Sequence, residues 1–225
     1  MAPKSRSYQI SATPATLFGH LLAMAITTLV LVWTLKFRGG FALESGIEEK
    51  ILNVNVHTFL MVVGFILIGG EAIMAYKTVQ GTRNTQKGVH VILHLLALAA
   101  IIFGFYCAIQ FNHESRVPHF LTLHSWLGIT TISLFGIQYL FGFVFYVFPG
   151  GDMSSRGNFM PWHTFFGMVI FLLAVCTAET GLMERFFFLA VVKINQEVLI
   201  VNFTGLLLFL FAATVSLTVL LPRLY

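Results

Sequence analysis

Six long apolar stretches, separated by short polar segments, run along the chain at approximately 16–35, 54–76, 89–110, 120–147, 162–182 and 198–221. Each supplies the roughly 20 mainly apolar residues that carry a helix across a bilayer. The apolar pattern is continuous within each stretch rather than alternating, which excludes the strands of a membrane barrel. The expected architecture is all-α: an integral membrane six-helix bundle, one domain over residues 1–225. Residues 1–15 are polar, and the apolar run behind them has spanning length, so no cleavable signal peptide is expected.

Composition agrees. Hydrophobic residues make up 57% of the chain and charged residues only 10%, against about 25% charged in a soluble domain. Cys107 and Cys176 fall inside apolar spans and are not read as a disulfide pair. The absence of a Cys-x-x-Cys-His segment excludes covalent c-type haem attachment. With the N-terminus inside, one face carries Lys4, Arg6, Lys77, Arg83, Lys87, Arg156 and Arg223, opposed only by Asp152. The other face balances six cations with six glutamates. The N-terminal cations favour both termini in the cytoplasm. The inner face would then suit an anionic small molecule, and no nucleic-acid partner is expected.

Histidine is costly inside a membrane unless it has a partner or a task. His57 and His124 begin the second and fourth spans, on the outer side; His90 and His163 begin the third and fifth, on the inner side. Four consecutive helices thus supply two histidine pairs, one per leaflet. A b-type haem needs two such axial nitrogens from facing helices, so the four central helices are read as binding two haem b per chain. A flat macrocycle also needs room beside its ligands. Gly128 and Gly167 follow His124 and His163 by four residues, and Gly64 follows His57 by seven, all on the ligand's helical face. His94, one turn below His90, is an alternative ligand or a hydrogen-bond partner for a haem propionate or a neighbouring helix. His20 has no depth-matched partner and is read as structural. Glu71 is a candidate for neutralising a basic residue, relaying a proton or snorkelling, and Glu179 is read as solvated near the outer end. His113, Arg116 and His119 form a basic cluster before His124, at the outer mouth.

The segments WTLKFRGGFALE, NVNVHTFLMVVGFILIGGEAIMAYK, KGVHVILHLLALA, LTLHSWLGI and FMPWHTFFG resemble the eukaryotic cytochrome b561 family, and its plant members most closely. The resemblance implies an ascorbate-dependent transmembrane oxidoreductase in which His57 and His124 bind the outer haem iron and His90, rather than His94, binds the inner one with His163. It implies a cytoplasmic ascorbate site at Lys77, Arg83, Lys87, Gln138 and Arg156. It implies an outer acceptor, monodehydroascorbate or a ferric chelate, with His113 at the outer site. Lys87 and His113 are the residues expected to act in the reaction at the two faces. A homodimer and, from the plant relatives, a vacuolar membrane are also implied. Leu121 and Thr122 stand where many relatives have tyrosine and serine, and the loop before them is one residue shorter. The competing readings are an enzyme chiefly reducing ferric chelates, and a histidine-lined metal or proton transporter.

Overall fold

The computed structural model describes residues 11–41, 50–190 and 195–221. Lys4, Arg6 and Arg223, used above to orient the chain, lie outside the described residues. Among the described residues, six helices have the length and apolarity to cross a membrane: α1 (Thr13–Phe37), α2 (Val54–Thr78), α3 (Arg83–Ser115), α4 (Leu123–Tyr146), α5 (Met153–Phe187) and α6 (Gln196–Leu220). No strand occurs among the described residues.

α3 and α5 begin well before their apolar runs. Thr82 accepts the Thr85 amide and Asp152 accepts the Ser155 amide, so each helix starts on a polar cap outside the hydrocarbon. Backbone and side-chain hydrogen bonds from Ser155 hold the Asp152 carboxyl below its ordinary range. Thr122, in a reciprocal capping box with Ser125, and Asn195 start α4 and α6 in the same way. Arg83, Lys87 and Arg156 therefore project from helical turns instead of lying in loops.

The bundle is built from tight pairs. α2 packs along α3, α4 along α5, and α1 along α6, with α6 also contacting α5 and α2. The α2/α3 and α4/α5 pairs meet at few points, so the four central helices leave space between them. On the far side of α2, Ile26, Val30, Met74, Leu208, Phe211 and Val215 form a fully buried seam. Its outer end is tied by Glu197, whose Oε1 accepts from Trp33 Nε1 at 2.9 Å and pairs with Arg38 Nε at 2.6 Å. His20, given no partner above, has one: its Nδ1 lies 2.8 Å from both carboxylate oxygens of Glu71, linking α1 to α2. Glu71 therefore has a partner inside the bundle.

Residues Leu60–Leu67 of α2 are π-helical. Gly64 faces α3, the same helix whose Gly104 carbonyl His57 reaches one turn away. A Cβ built on Gly64 would fall 2.5 Å from the Cβ of Ala100 on α3. Gly64 is thus a close-packing glycine between α2 and α3. Gly64→Ala should cost about 1–3 kcal/mol through overpacking, and Ala100→Gly added to it should restore most of the loss. Thermal unfolding of the single and double variants in detergent measures both.

Candidate functional site

The four paired histidines come together as pairs. The ring centroids of His57 and His124 are 6.2 Å apart, and those of His90 and His163 are 6.3 Å apart. A metal bonded at about 2 Å to each imidazole nitrogen, with roughly 1 Å more to each ring centre, separates two centroids by about 6 Å. Both pairs therefore have the spacing of two axial ligands on one iron.

The second ring nitrogen decides whether an imidazole can serve as such a ligand. When Nε2 faces a metal, Nδ1 carries the proton and needs an acceptor. His57 Nδ1 lies 2.9 Å from the Gly104 carbonyl, His90 Nδ1 2.8 Å from Ala72 and His124 Nδ1 2.8 Å from Thr177. Each carbonyl belongs to the packed neighbour, α3, α2 or α5. His163 Nδ1 differs: it faces the side-chain amide of Gln138, 3.0 Å away.

The α4/α5 pair explains how imidazoles reach so close to a neighbouring backbone. His124 stands opposite Gly181, where an added Cβ would fall 2.8 Å from the ring; His163 stands opposite Gly142, where it would fall 2.9 Å away. On α4, Gly142 follows His124 by 18 residues, and on α5 Gly181 follows His163 by 18. Eighteen residues are about five helical turns, so histidine and glycine share one face of each helix. In antiparallel packing, the histidine of one helix meets the glycine of the other at both ends. Sequence reasoning missed Gly142 and Gly181 because it looked for glycine near the ligand on its own helix. The signal lay in the repeat: His124, Gly128 and Gly142 recur 39 residues later as His163, Gly167 and Gly181.

At the inner pair a cavity of about 890 Å³ opens between the helix pairs, lined by His90, His94, His163 and Gly167. It lies within the roughly 300–1,000 Å³ of cofactor and ligand sites. His94 reaches within 4.5 Å of the His90 ring centroid, and its buried Nδ1 has no hydrogen-bond partner among the described residues. An orphaned buried nitrogen and an apolar slot between two imidazoles fit a polar-edged macrocycle. Phe65 and Phe135, ring centroids 5.0 Å apart, line the deep end. A Cβ built on Gly128 would meet the Thr177 methyl at 3.7 Å, and one built on Gly167 would meet Gln138 Nε2 at 3.3 Å.

The mouth of the cavity is cationic. Lys77, Arg83, Lys87 and Arg156 all line it, with Gln138 deeper inside. Two of the cations are tied to helix ends. Lys77 Nζ donates to the Leu221 carbonyl at 2.6 Å, and Lys87 Nζ donates to the Tyr146 carbonyl at 3.1 Å. Arg83 lies over the Tyr76 ring, 5.0 Å from its centroid. At the other end, His113, Arg116 and His119 are exposed; His113 is in the last turn of α3 and Arg116 adopts the left-handed conformation that ends it. Glu179 is not solvated as expected: its Oε1 is buried without a partner, and its Oε2 would lie 2.7 Å from a Cβ at Gly205 on α6.

Residues 56–189 match the family described as eukaryotic cytochrome b561. The chain is 44% identical over 217 residues to a probable ascorbate-specific transmembrane electron transporter of Oryza sativa subsp. japonica, covering 95% of this chain and 91% of the relative. It is 40% identical to transmembrane ascorbate ferrireductase 1 of Arabidopsis thaliana, covering 93% and 88%. It is 35% identical to a transmembrane ascorbate-dependent reductase of Ovis aries, covering 88% and 78%.

The facing glycines give a direct test of the paired-imidazole geometry. Gly181→Ala should displace His124, and Gly142→Ala should displace His163, each disturbing one pair and sparing the other. Absorption spectra of the purified variants should show one of two components altered in each case. Wild-type spectra from both variants would mean that the close approach is unimportant.

Proposed function

The chain belongs to the eukaryotic cytochrome b561 family, and from that premise we propose that it moves electrons from cytoplasmic ascorbate, by way of two haem b groups, to an acceptor across the membrane. The two imidazole pairs, 6.2 Å and 6.3 Å between centroids, carry this reading. His57 with His124 would hold the outer haem, and His90 with His163 the inner one. When bound, haem b supplies a one-electron ferric–ferrous couple inside the low-dielectric bundle. The chain's own residues fix the imidazole planes, exclude water and bind the substrates.

At the inner mouth, Lys77, Arg83, Lys87 and Arg156 attract the ascorbate monoanion and orient it toward the His90–His163 level. The donor gives up one electron and one proton. Lys87 places positive charge against the ene-diol oxygens, which favours the deprotonated form and lets the proton leave to water at the mouth. At the outer mouth, His113, Arg116 and His119 would receive monodehydroascorbate or a ferric chelate, both anionic. Reduction of a ferric chelate draws support from the relatives named ferrireductases. The Phe65–Phe135 contact, set between the two histidine levels, suits an electron path better than the polar channel of a metal or proton transporter. Both termini in the cytoplasm, a homodimer and a vacuolar membrane complete the reading.

Two haems per chain are expected in a pyridine haemochrome assay, and His163→Ala should lose one of them. A count of one for the wild type would overturn the pairing. Lys87→Ala, Arg83→Ala and Arg156→Ala should each weaken ascorbate binding by about 0.5–1 kcal/mol, roughly two- to fivefold in KM, with haem spectra unchanged. The effect should shrink as salt is raised. His113→Ala should slow reoxidation by outer acceptors and spare reduction by ascorbate. Stopped-flow measurement of the two half-reactions in oriented vesicles separates these outcomes.

A further inference from the structure

The Nδ1 contacts of the four imidazoles are alike in three cases and different in the fourth. Three Nδ1 atoms face backbone carbonyls, which are rigid acceptors held by their own helices. The fourth, on His163, faces a side chain. The helix pairing makes the exception sharper. In the antiparallel register of α4 and α5, His124 meets Gly181, Gly128 meets Thr177, Gln138 meets Gly167 and Gly142 meets His163. The 39-residue repeat that carries His124 to His163 carries Gln138 to Thr177. Thr177 serves His124 with its backbone carbonyl; at the matching place, Gln138 serves His163 with its side-chain amide. Gly167 is what admits that amide, since a Cβ there would lie 3.3 Å from Gln138 Nε2.

Gln138 Nε2 also donates to the His163 backbone carbonyl at 2.7 Å. One amide end thus touches two atoms with different needs. With iron on Nε2 of His163, Nδ1 bears a proton, and an amide nitrogen cannot accept it. The oxygen can, and the two ends of an amide have almost the same shape. Turning the oxygen toward Nδ1, however, also brings it toward the His163 carbonyl, which repels it. Gln138 is therefore a weaker acceptor than the carbonyls that serve the other three imidazoles.

A stronger acceptor on Nδ1–H makes an imidazole a better electron donor to its iron and favours the ferric state. We propose that Gln138 is a positioning residue that acts through His163 to set the reduction potential of the inner haem apart from that of the outer one. The proposal rests on the reading that His90 and His163 hold a haem. It gives Gln138 a role distinct from contact with ascorbate, although it lines the same cavity.

Two near-isosteric variants test it by optical redox titration of the purified full chain. Gln138→Glu keeps an oxygen within reach of Nδ1–H in either protonation state. Its carboxylic acid form would also donate to the His163 carbonyl and remove the repulsion. This variant should shift the inner haem toward the oxidised form by up to about tenfold in its reduction equilibrium, about 59 mV downward. Gln138→Met keeps the length and loses the acceptor, and should shift the same haem the other way by a smaller factor. The outer haem should not move in either. Unchanged potentials, or shifts of the same sign in both variants, would overturn the proposal. His163→Ala separates the two levels of the argument: if it retains both haems, the ligand reading fails, whereas loss of one haem alongside unresponsive Gln138 variants removes only this inference.

Discussion

An imidazole in a bilayer has two nitrogens to satisfy, and the surrounding helices have already spent their backbone groups on one another. The fold answers this by bringing helices close enough for a ring on one to reach a carbonyl on the next. A helical carbonyl can accept a further donor beside its own i+4 amide; Gly104 and Ala72 meet an imidazole in this way, and Thr177 meets both His124 Nδ1 and the Thr180 hydroxyl. Most of the architecture follows from that requirement. Gly181 stands opposite the His124 ring because a side chain there would push the imidazole off the Thr177 carbonyl, and Gly142 gives the His163 ring the same room. The tight pairs α2/α3 and α4/α5 are the units within which each ring is held, and the open space lies between the pairs, where the rings point.

The antiparallel register turns one local arrangement into two sites. A histidine and a glycine five turns apart on one helix, set against the same pattern reversed on its neighbour, place matching sites at opposite ends of the pair. The bilayer needs no further device to separate them, because about 27 Å of helix rise lies between the histidine and glycine levels. The price of near-symmetry is that two like sites would have like chemistry. Asymmetry has to come from residues outside the repeated pattern. Gln138 against Thr177 is one such difference, and the cationic inner mouth is another.

How much was legible in the sequence follows from the same physics. Spans were readable because hydrocarbon demands an unbroken apolar run, and the depth pairing of His57 with His124 and His90 with His163 was readable because helix rise per residue is constant. The starts of α3 and α5 were not. Their first turns are polar, and what makes them helical is capping by Thr82 and Asp152 rather than hydropathy. Gly64 was singled out by its spacing from His57, which does not reveal that Ala100 of α3 packs against it. Glu179 was placed by its distance from the span end, which does not reveal that α6 covers it at Gly205. The outer cluster of His113, Arg116 and His119 was found as a cluster in sequence, and all three are exposed.

The inner mouth shows how one set of residues can serve stability and recognition together. Lys77 and Lys87 each donate to a carbonyl at or beside the C-terminal end of another helix, Leu221 beyond α6 and Tyr146 in α4. A helix C-terminus carries partial negative charge, so these contacts are favourable before any ligand arrives. They also hold long, otherwise mobile side chains at the rim, reducing the entropy lost when an anion binds. Arg83 is similarly restrained over Tyr76. A lysine ammonium has three donors, and one backbone carbonyl uses only one of them. Both ammonium groups keep further donors, and both line the cavity that holds His90 and His163. Helix closure thus fixes where the two ammonium groups stand, so the proposed capture of an anion would draw on the same contacts that close α4 and α6.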